Sequence, residues 1–330
     1  MSMAGESRDE SVRSRHPYPR PQAQVRPCEP YRIGRVQVHP AHAPLGAEIR
    51  GLDLTAPVTD ADVDALREAW ADHLVLLWRG VELSVDEHLR IGHLFGALDD
   101  MSHVAVESGL PKEMLVIENN PALNQALDTA PENYRQGFQA KLVRWHTDNS
   151  YRPVPPRGSL FYMRVAPPAG GVTGFANMYE AYNELPQDLR LAVQGRWAKH
   201  DSSLNSGGTL RVGRTPPTDV SRGDGVEHPL ARVHPLTGRV ALYLGRRPYQ
   251  YVCGLPVAES ETLLDGLWEH AVQDRFVWQR TEQRAGDLIL WDNRCAMHSR
   301  DWFDPRHRRL AHRVQMTGEP VVARWPRIDG

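Results

Sequence analysis

The stretches DLILWDNRCAMHSR (287–300) and RRLAHRVQMTG (308–318) carry the strongest fold signal in the chain. Both are rich in apolar and aromatic residues and are interrupted by short polar segments, which is typical of strands joined by turns. FVWQRTE (276–282) and RVALYLG (239–245), which precede them, have the same character. No regular alternation of strand and helix runs through the chain. The pattern therefore favours a mostly β fold with flanking helices, an antiparallel sandwich or jelly roll, over a doubly wound sheet.

Helix signals stand mainly on the N-terminal side of this strand-rich region. Thr59 or Asp60 is a suitable N-cap, and Ser84 with Glu87 forms a capping box, in which each residue satisfies a free backbone N–H of the first turn. Helices are predicted for 61–73, for the stretch after Ser84, for the segment broken at Pro186 and for 257–273. Single strands are predicted for 31–40, 73–80, 114–118 and 159–166.

The chain is predicted to form one domain behind a short tail. Residues 1–30 mix Ser, Arg, Glu and Pro with little to bury, so we expect a flexible N-terminal tail. Residues 31–330 contain no linker and are expected to form a single domain. Long loops are predicted at about 119–141 and 201–228, where polar residues, Pro and Gly show no sustained period.

Bulk composition narrows the class of protein. The chain has 330 residues, 41% of them hydrophobic, and a formal net charge of −2, which indicates neither a nucleic-acid partner nor an anionic membrane. It contains three widely spaced cysteines, which is no disulfide framework, and it has no apolar run of membrane-spanning length. The N-terminus lacks the apolar segment of a signal peptide. These features predict a cytoplasmic protein.

The triplet His146-Thr147-Asp148 is the sharpest local indication of metal binding. In an extended strand, residues two apart point to one face, so His146 and Asp148 can approach the same ion. A second histidine would complete a two-histidine, one-carboxylate triad, which leaves coordination positions open for a chelating 2-oxo acid and for O₂. The triplet by itself is a weak signal, since a chain with 15 histidines contains one by chance.

Several histidines are candidates for the third ligand. His298 is preferred because it lies in a strand-like stretch just after a turn. The full set of candidates is His200, His228, His234, His270, His298, His307 and His312.

Two arginines add a second indication. Arg309 and Arg313 fall on one face of a predicted strand, with Ala311 between them. Guanidinium groups turned into a barrel need anionic partners, because an unpaired buried charge is costly. A dicarboxylate cosubstrate would bind one and an anionic substrate the other. A solvated basic edge strand is an equally good explanation of the spacing alone.

The chain resembles the taurine dioxygenase and 2,4-dichlorophenoxyacetate dioxygenase family of 2-oxoglutarate oxygenases. The resemblance extends from about Pro44 to about Pro320. The blocks that carry it, in order, are GAEIRGLDL, LVLLWRG, HLFGAL, WHTDNSY, GGVTGFANMYEAYNELP, HPLTGRVALYLG, GDLILWDNRCAMH and RRLAHRVQMTG. Their order and spacing make the match far more specific than the triplet.

The resemblance implies a double-stranded β-helix (jelly roll, cupin-like) fold and an Fe(II) centre that uses 2-oxoglutarate and O₂. His146, Asp148 and His298 match the family's metal ligands. Thr173 and Arg309 match the residues that bind 2-oxoglutarate. The implied reaction converts 2-oxoglutarate to succinate and CO₂ while a substrate C–H bond is oxidised.

The resemblance also implies a small-molecule anionic substrate, a carboxylate, sulfonate or sulfate ester. Arg313 matches the arginine that holds this anion in several members, and His103 or Asn119 is a further candidate for contact with substrate. Val172 departs from the family, which commonly has an acidic residue before the threonine. Asp148 argues against a halogenating enzyme, in which a small residue stands at this position.

Other classes remain open at this stage. These are a non-catalytic metal- or ligand-binding jelly roll, a zinc hydrolase with the same ligands, a nucleic-acid demethylase, and a tailoring oxygenase whose outcome is desaturation or another oxidation. The arginine pair favours the oxygenase over the first three. A homo-oligomer is expected by analogy with the family alone.

Overall fold

The computed structural model describes residues 27–102, 109–124 and 142–328. Strands dominate this part of the chain, and the predicted mostly β class is confirmed. The strands are β1 Tyr31–Ile33, β2 Val36–Pro40, β3 Ala47–Arg50, β4 Val75–Trp78, β5 Leu115–Asn119, β6 Val143–His146, β7 Gly158–Val165, β8 Thr173–Asn177, β9 Trp197–Asp201, β10 Gly225–Pro229, β11 Ala231–Val233, β12 Val240–Leu242, β13 Tyr251–Val252, β14 Val277–Trp278, β15 Leu288–Asp292, β16 Ala296–Arg300, β17 Arg309–Met316 and β18 Val322–Ala323. The helices are α1 Asp60–His73, α2 Val85–His93, α3 Pro121–Asn124, α4 Met178–Asn183, α5 Gln187–Ala192 and α6 Val257–Ala271, with a 3₁₀ turn at Asp274–Phe276.

Two sheets form the body of the protein. An eight-stranded sheet has the order β1-β2-β3-β4-β15-β7-β17-β5, and a four-stranded sheet has the order β14-β8-β16-β6. All of these neighbours pair antiparallel except β3 and β4. Two three-stranded sheets, β10-β9-β13 and β12-β11-β18, complete the fold.

The apolar core lies in two layers on opposite faces of the eight-stranded sheet. The inner cluster joins this sheet to the four-stranded one, with Phe161 and Trp291 on one side and Phe175 on the other. The outer cluster packs helices α1 and α2 against the opposite face, through Trp70 and Ile91 among others. Successive residues of a strand alternate between the two layers, which explains why β4 is apolar at every position and β15 at every position except Asp292.

Both predicted helix caps are confirmed. The Thr59 side chain accepts from the backbone N–H of Asp62, whose carboxylate accepts from the Thr59 backbone, and helix α1 begins directly after it. Ser84 and Glu87 form the same reciprocal pair at the start of α2.

Several predicted boundaries were wrong. The single strand expected over 31–40 is the hairpin β1–β2, because Gly34 adopts a positive φ of 57° that allows a tight turn. In the predicted 201–228 loop, Asp201 still belongs to β9, and Gly225–Pro229 form β10 against it.

The other predicted long loop and the predicted tail are described only in part. Asn119 belongs to β5 and Pro121–Asn124 form the short helix α3, so the loop does not begin at 119. Residues 125–141 lie outside the described residues, as do 1–26 of the predicted tail. No helix of the described part has both the length and the apolar character needed to cross a bilayer.

Candidate active site

The pairing of β6 with β16 brings two of the predicted metal ligands together. His146 and His298 are directly opposed across the four-stranded sheet, and their ring centroids are 4.2 Å apart. Opposed residues of antiparallel strands share a face. Asp148 completes the group, since one ligand atom from each of the three side chains lies within 4.8 Å of the others. The preference for His298 over the other histidines therefore agrees with the geometry.

Asp148 reaches the site from a turn. The sequence pattern had placed it in the same strand, two residues after His146, and that prediction was wrong. Strand β6 ends at His146, and Asp148 starts the turn that follows it. Asn293 holds this turn in place, because its side chain accepts from the Asp148 N–H at 2.8 Å and donates to the Asp148 carbonyl at 3.0 Å. The WDNR motif thus positions a ligand that is distant in sequence.

Different partners occupy the two carboxylate oxygens of Asp148. Oδ2 accepts from Arg313 at 2.7 Å and from Gln315 at 3.1 Å, while Oδ1 lies 3.4 Å from His146 Nε2. Burial by itself raises the pKa of Asp148, but Arg313 together with His298 and His146 outweighs it and holds this pKa well below its usual range. The group is therefore an ionised carboxylate that turns Oδ1 towards His146, while Oδ2 lies 3.9 Å from His298 Nε2.

Both histidines contribute a ring nitrogen to the centre. His146 Nδ1 lies 2.8 Å from the Arg144 carbonyl, so this nitrogen carries the hydrogen and leaves the Nε2 lone pair free. Burial, followed by the nearby His146, lowers the pKa of His298 well below its ordinary value. His298 packs against Trp291, with ring centroids 4.8 Å apart. One carboxylate and two neutral imidazoles suit a divalent transition-metal ion, and the residues present fit Fe(II).

The two residues predicted to bind 2-oxoglutarate share Arg300 as a neighbour. Thr173 is buried and pairs with Arg300 across β8 and β16. The guanidinium carbons of Arg300 and Arg309 lie 5.3 and 5.9 Å from the centre of the Phe303 ring. Burial, and secondarily Arg300, lowers the pKa of Arg309 to about 9, and its Nε has no hydrogen-bond partner among the described residues. This buried cation is suited to a carboxylate ligand.

The residues predicted to contact substrate lie in different surroundings. Arg313 shares the inner face of β17 with Arg309 and is bonded to Asp148. The side-chain amide of Asn119 donates to the carbonyls of Pro305 and His307 and so orders the loop before Arg309. The predicted contact between Asn119 and substrate stays a prediction. His103 lies outside the described residues.

A second group of ligand-type side chains is satisfied by the protein itself. His234, Asp292 and Cys295 also lie within 4.8 Å of one another. Asp292 accepts from Arg294, and His234 donates to Asp292 through Nε2 while its Nδ1 accepts from the Thr237 N–H. Burial raises the pKa of the Cys295 thiol. This group is a structural hydrogen-bond cluster that supports the WDNR turn.

A cavity of about 410 Å³ adjoins the triad and contains a residue that sequence reasoning missed. His146 forms part of its wall, and Arg246 lies in the same wall with 8% of its surface exposed. Burial lowers the pKa of Arg246 to about 10, so it remains charged at neutral pH. Arg246 stands beside Arg247 in the sequence, and no local pattern distinguishes the one that turns inward.

The fold and the site together define a non-haem metal protein built on a two-histidine, one-carboxylate triad. The chain belongs to the taurine catabolism dioxygenase TauD, TfdA family, whose model matches residues 37–315. Membership confirms the resemblance seen in the sequence. It also confirms the expected enzyme class, a 2-oxoglutarate-dependent dioxygenase with Fe(II), 2-oxoglutarate and O₂ as cofactor and cosubstrates.

Individual relatives match over most of their length. The chain is 32% identical over 299 residues to (S)-phenoxypropionate/alpha-ketoglutarate-dioxygenase of Delftia acidovorans, covering 87% of this chain and 99% of the relative. It is 33% identical over 294 residues to alpha-ketoglutarate-dependent 2,4-dichlorophenoxyacetate dioxygenase of Cupriavidus pinatubonensis, with the same coverage. The crystal structure of AAD-2 in complex with Mn(II) and N-oxalylglycine has a TM-score of 0.73 and 26% identity, covering 86% of this chain and 99% of that one.

Proposed function

We propose that this protein is an Fe(II)- and 2-oxoglutarate-dependent dioxygenase that hydroxylates a small organic anion. The observation that carries the proposal is the convergence of His146, Asp148 and His298 beside a strand that bears two inward arginines. The eight- and four-stranded sheets, packed through the inner cluster, support a double-stranded β-helix core formed by one domain over 31–330.

Each site residue has a distinct task in this proposal. Fe(II), when bound, supplies the oxidation of a substrate C–H bond coupled to conversion of 2-oxoglutarate and O₂ into succinate and CO₂. His146 and His298 bind the ion through neutral rings, and Asp148 adds the negative charge through Oδ1. Arg309 and Thr173 hold the distal carboxylate of 2-oxoglutarate away from water, where a charged hydrogen bond is strong.

The substrate is proposed to be a carboxylate, sulfonate or sulfate ester. Phenoxypropionate and dichlorophenoxyacetate, which the relatives' names give as substrates, are carboxylates. Arg313, which the family resemblance assigns to this anion, is bonded to Asp148 and adds positive charge to the site. The three cysteines are free thiols, which supports the proposed cytoplasmic location. Self-association into a homo-oligomer stays a prediction.

The test is succinate formation from 2-oxoglutarate by the purified protein with Fe(II), ascorbate and air. We expect O₂-dependent succinate formation whose rate increases with one class of anion. The His298→Ala variant should form no succinate, because the two remaining ligands cannot keep the ion. His307→Ala, an exposed histidine of the following loop, is the matched control and should retain activity. If wild type forms no more succinate than His298→Ala with any anion, the protein binds metal without this chemistry.

Product analysis separates hydroxylation from the alternative oxidative outcomes. We expect the stimulated reaction to yield an oxygenated or fragmented product that carries one oxygen atom from ¹⁸O₂. An unsaturated product without ¹⁸O would instead support the tailoring alternative.

A further inference from the structure

Arg246 is a buried cation with free hydrogen-bonding capacity beside the metal triad. Its Nη2 donates to the Ser206 hydroxyl at 2.9 Å, while Nε and Nη1 have no hydrogen-bond partner among the described residues. A charged donor that is buried without an acceptor destabilises the protein. A bound ligand that supplies the acceptor removes this cost.

The backbone holds Arg246 next to the metal ligands. The Thr147 hydroxyl donates to the Leu244 carbonyl at 2.6 Å, and the Thr147 N–H donates to the Gly245 carbonyl at 2.9 Å. Thr147 lies between the ligands His146 and Asp148, so the segment that carries Arg246 is tied directly to the centre. The backbone position of the arginine is therefore preorganised.

The cavity shared by Arg246 and His146 has the size and the charge to take an organic anion. Its 410 Å³ would hold roughly fourteen water molecules at ~30 Å³ each, which leaves room for an aryl or alkyl group. Leu204, Pro248 and Tyr249 supply apolar wall. Asp201 also lines it, but both of its oxygens accept from Ser203.

Positive charge is in excess around this wall. The guanidinium carbons of Arg246 and Arg211 lie 5.4 and 4.6 Å from the centre of the Tyr151 ring, so two cations pack against one aromatic side chain. Arg313, the arginine that the family resemblance assigns to the substrate anion, is already bonded to Asp148 at 2.7 Å. Arg246, unlike Arg313, has no hydrogen bond to a carboxylate among the described residues.

We propose that Arg246 is a specificity-determining residue that binds the anionic group of the organic substrate and directs its body along the cavity towards the metal. The proposal rests on the proposed function, since it names a contact with the substrate of that same site. It assigns to Arg246 a role in substrate binding and none in binding 2-oxoglutarate.

The test compares Arg246→Met with Arg247→Met as a matched control. Arg247 is the adjacent residue, but its guanidinium is bonded to Glu261 and Asp265 on the surface of helix α6. Protein loaded with Mn(II) and N-oxalylglycine is titrated with 2,4-dichlorophenoxyacetate, 2-phenoxypropionate and hexyl sulfate, and with their neutral counterparts, the two methyl esters and hexanol. Binding is measured by calorimetry, so the readout requires no turnover.

We expect wild type and Arg247→Met to prefer at least one anion over its neutral counterpart. Arg246→Met should bind that anion about 10–100-fold more weakly, as expected for a lost charged hydrogen bond, and the neutral compound unchanged. Arg246→Lys should recover part of the preference.

Three results would overturn the assignment. They are anion binding by Arg246→Met as tight as by wild type, equal weakening of anion and neutral compound, and a wild-type protein without preference for any of the anions. Failure of the proposed function has a different signature, because a protein that forms no succinate can still show an anion preference that depends on Arg246.

Discussion

At the scale of single residues, the orientation of Asp148 depends on neutral and charged partners behind it. Gln315 donates to Asp148 Oδ2 and to the Ser159 hydroxyl, and its own carbonyl accepts from Asn149. This fully buried amide directs the carboxylate without adding charge. Such partners usually control how tightly a ligand holds its metal ion.

Replacing Gln315 with leucine should weaken metal binding by about 10–100-fold, because Asp148 loses a donor that orients it. Anaerobic titration of the metal-free protein with Co(II), followed by its visible absorption, measures the affinity. Gln273→Leu, at an exposed position, is the control and should leave it unchanged. Wild-type affinity in a Gln315→Leu protein that melts normally would show that the remaining partners suffice.

At the scale of elements, the site is assembled where the segment after β12 packs against the end of β6. Gly245 allows this close approach, since a Cβ atom there would lie 2.1 Å from His200 Nδ1 and 2.5 Å from the Ser150 hydroxyl. His200 is itself fixed by stacking on Tyr243 at 5.5 Å. A larger residue at 245 would therefore displace the segment that carries Arg246.

Replacing Gly245 with alanine should destabilise the protein by about 1–3 kcal/mol, as expected when a group is forced into a packed interior. Gly266→Ala, within helix α6, is the matched control. A Cβ atom at this position would meet only the Leu189 side chain, at 3.6 Å. That control should be neutral or stabilising by up to about 1 kcal/mol, since alanine favours a helix. Urea unfolding followed by tryptophan fluorescence gives both values. Equal effects of the two substitutions would contradict the steric argument.

At the scale of the whole molecule, burial keeps several histidines neutral. Burial lowers the pKa of His88, His228 and His234 to about 4 in each case. These folded-state values lie below the ordinary value of 6.5, so between pH 6.5 and 4 the unfolded chain binds more protons. Their contribution to stability is complete above pH 6.5 and is lost as the pH falls towards 4.

The free energy of unfolding should therefore decrease as the pH is lowered from 7 to 5. His88 donates to the Leu160 carbonyl far from the metal ligands, so His88→Gln can keep this hydrogen bond without a titrating ring. In that variant, the decrease in the free energy of unfolding between pH 7 and pH 5 should be about 2 kcal/mol smaller than in wild type. Urea unfolding with a chelator present removes the effect of metal loss, and the exposed His307→Gln is the control. A pH dependence that His88→Gln leaves unchanged would rule out His88 as a contributor.

Much of this protein could be predicted because the decisive signals are local. Thr59 and Ser84 mark helix starts, since each side chain bonds a backbone N–H only three residues later. The apolar run that contains 75–78 likewise predicts a buried strand. The wrongly predicted boundaries, such as the hairpin at Gly34, depend on backbone angles. Residue type does not fix these angles, because a glycine can adopt either sign of φ. The family's blocks indicated the candidate ligands, Thr173, Arg309 and Arg313 by their order along the chain.

The sequence by itself thus determined the β-rich class, the helix caps, the His146–Asp148 pair and the short list of histidines that includes His298. Only the tertiary structure decided that His298 opposes His146, that Asn293 holds the turn of Asp148, and that Arg246 turns inward while Arg247 does not. The reason is physical. These outcomes depend on hydrogen-bond register and packing between segments far apart in the chain, and neither residue type nor local spacing carries that information.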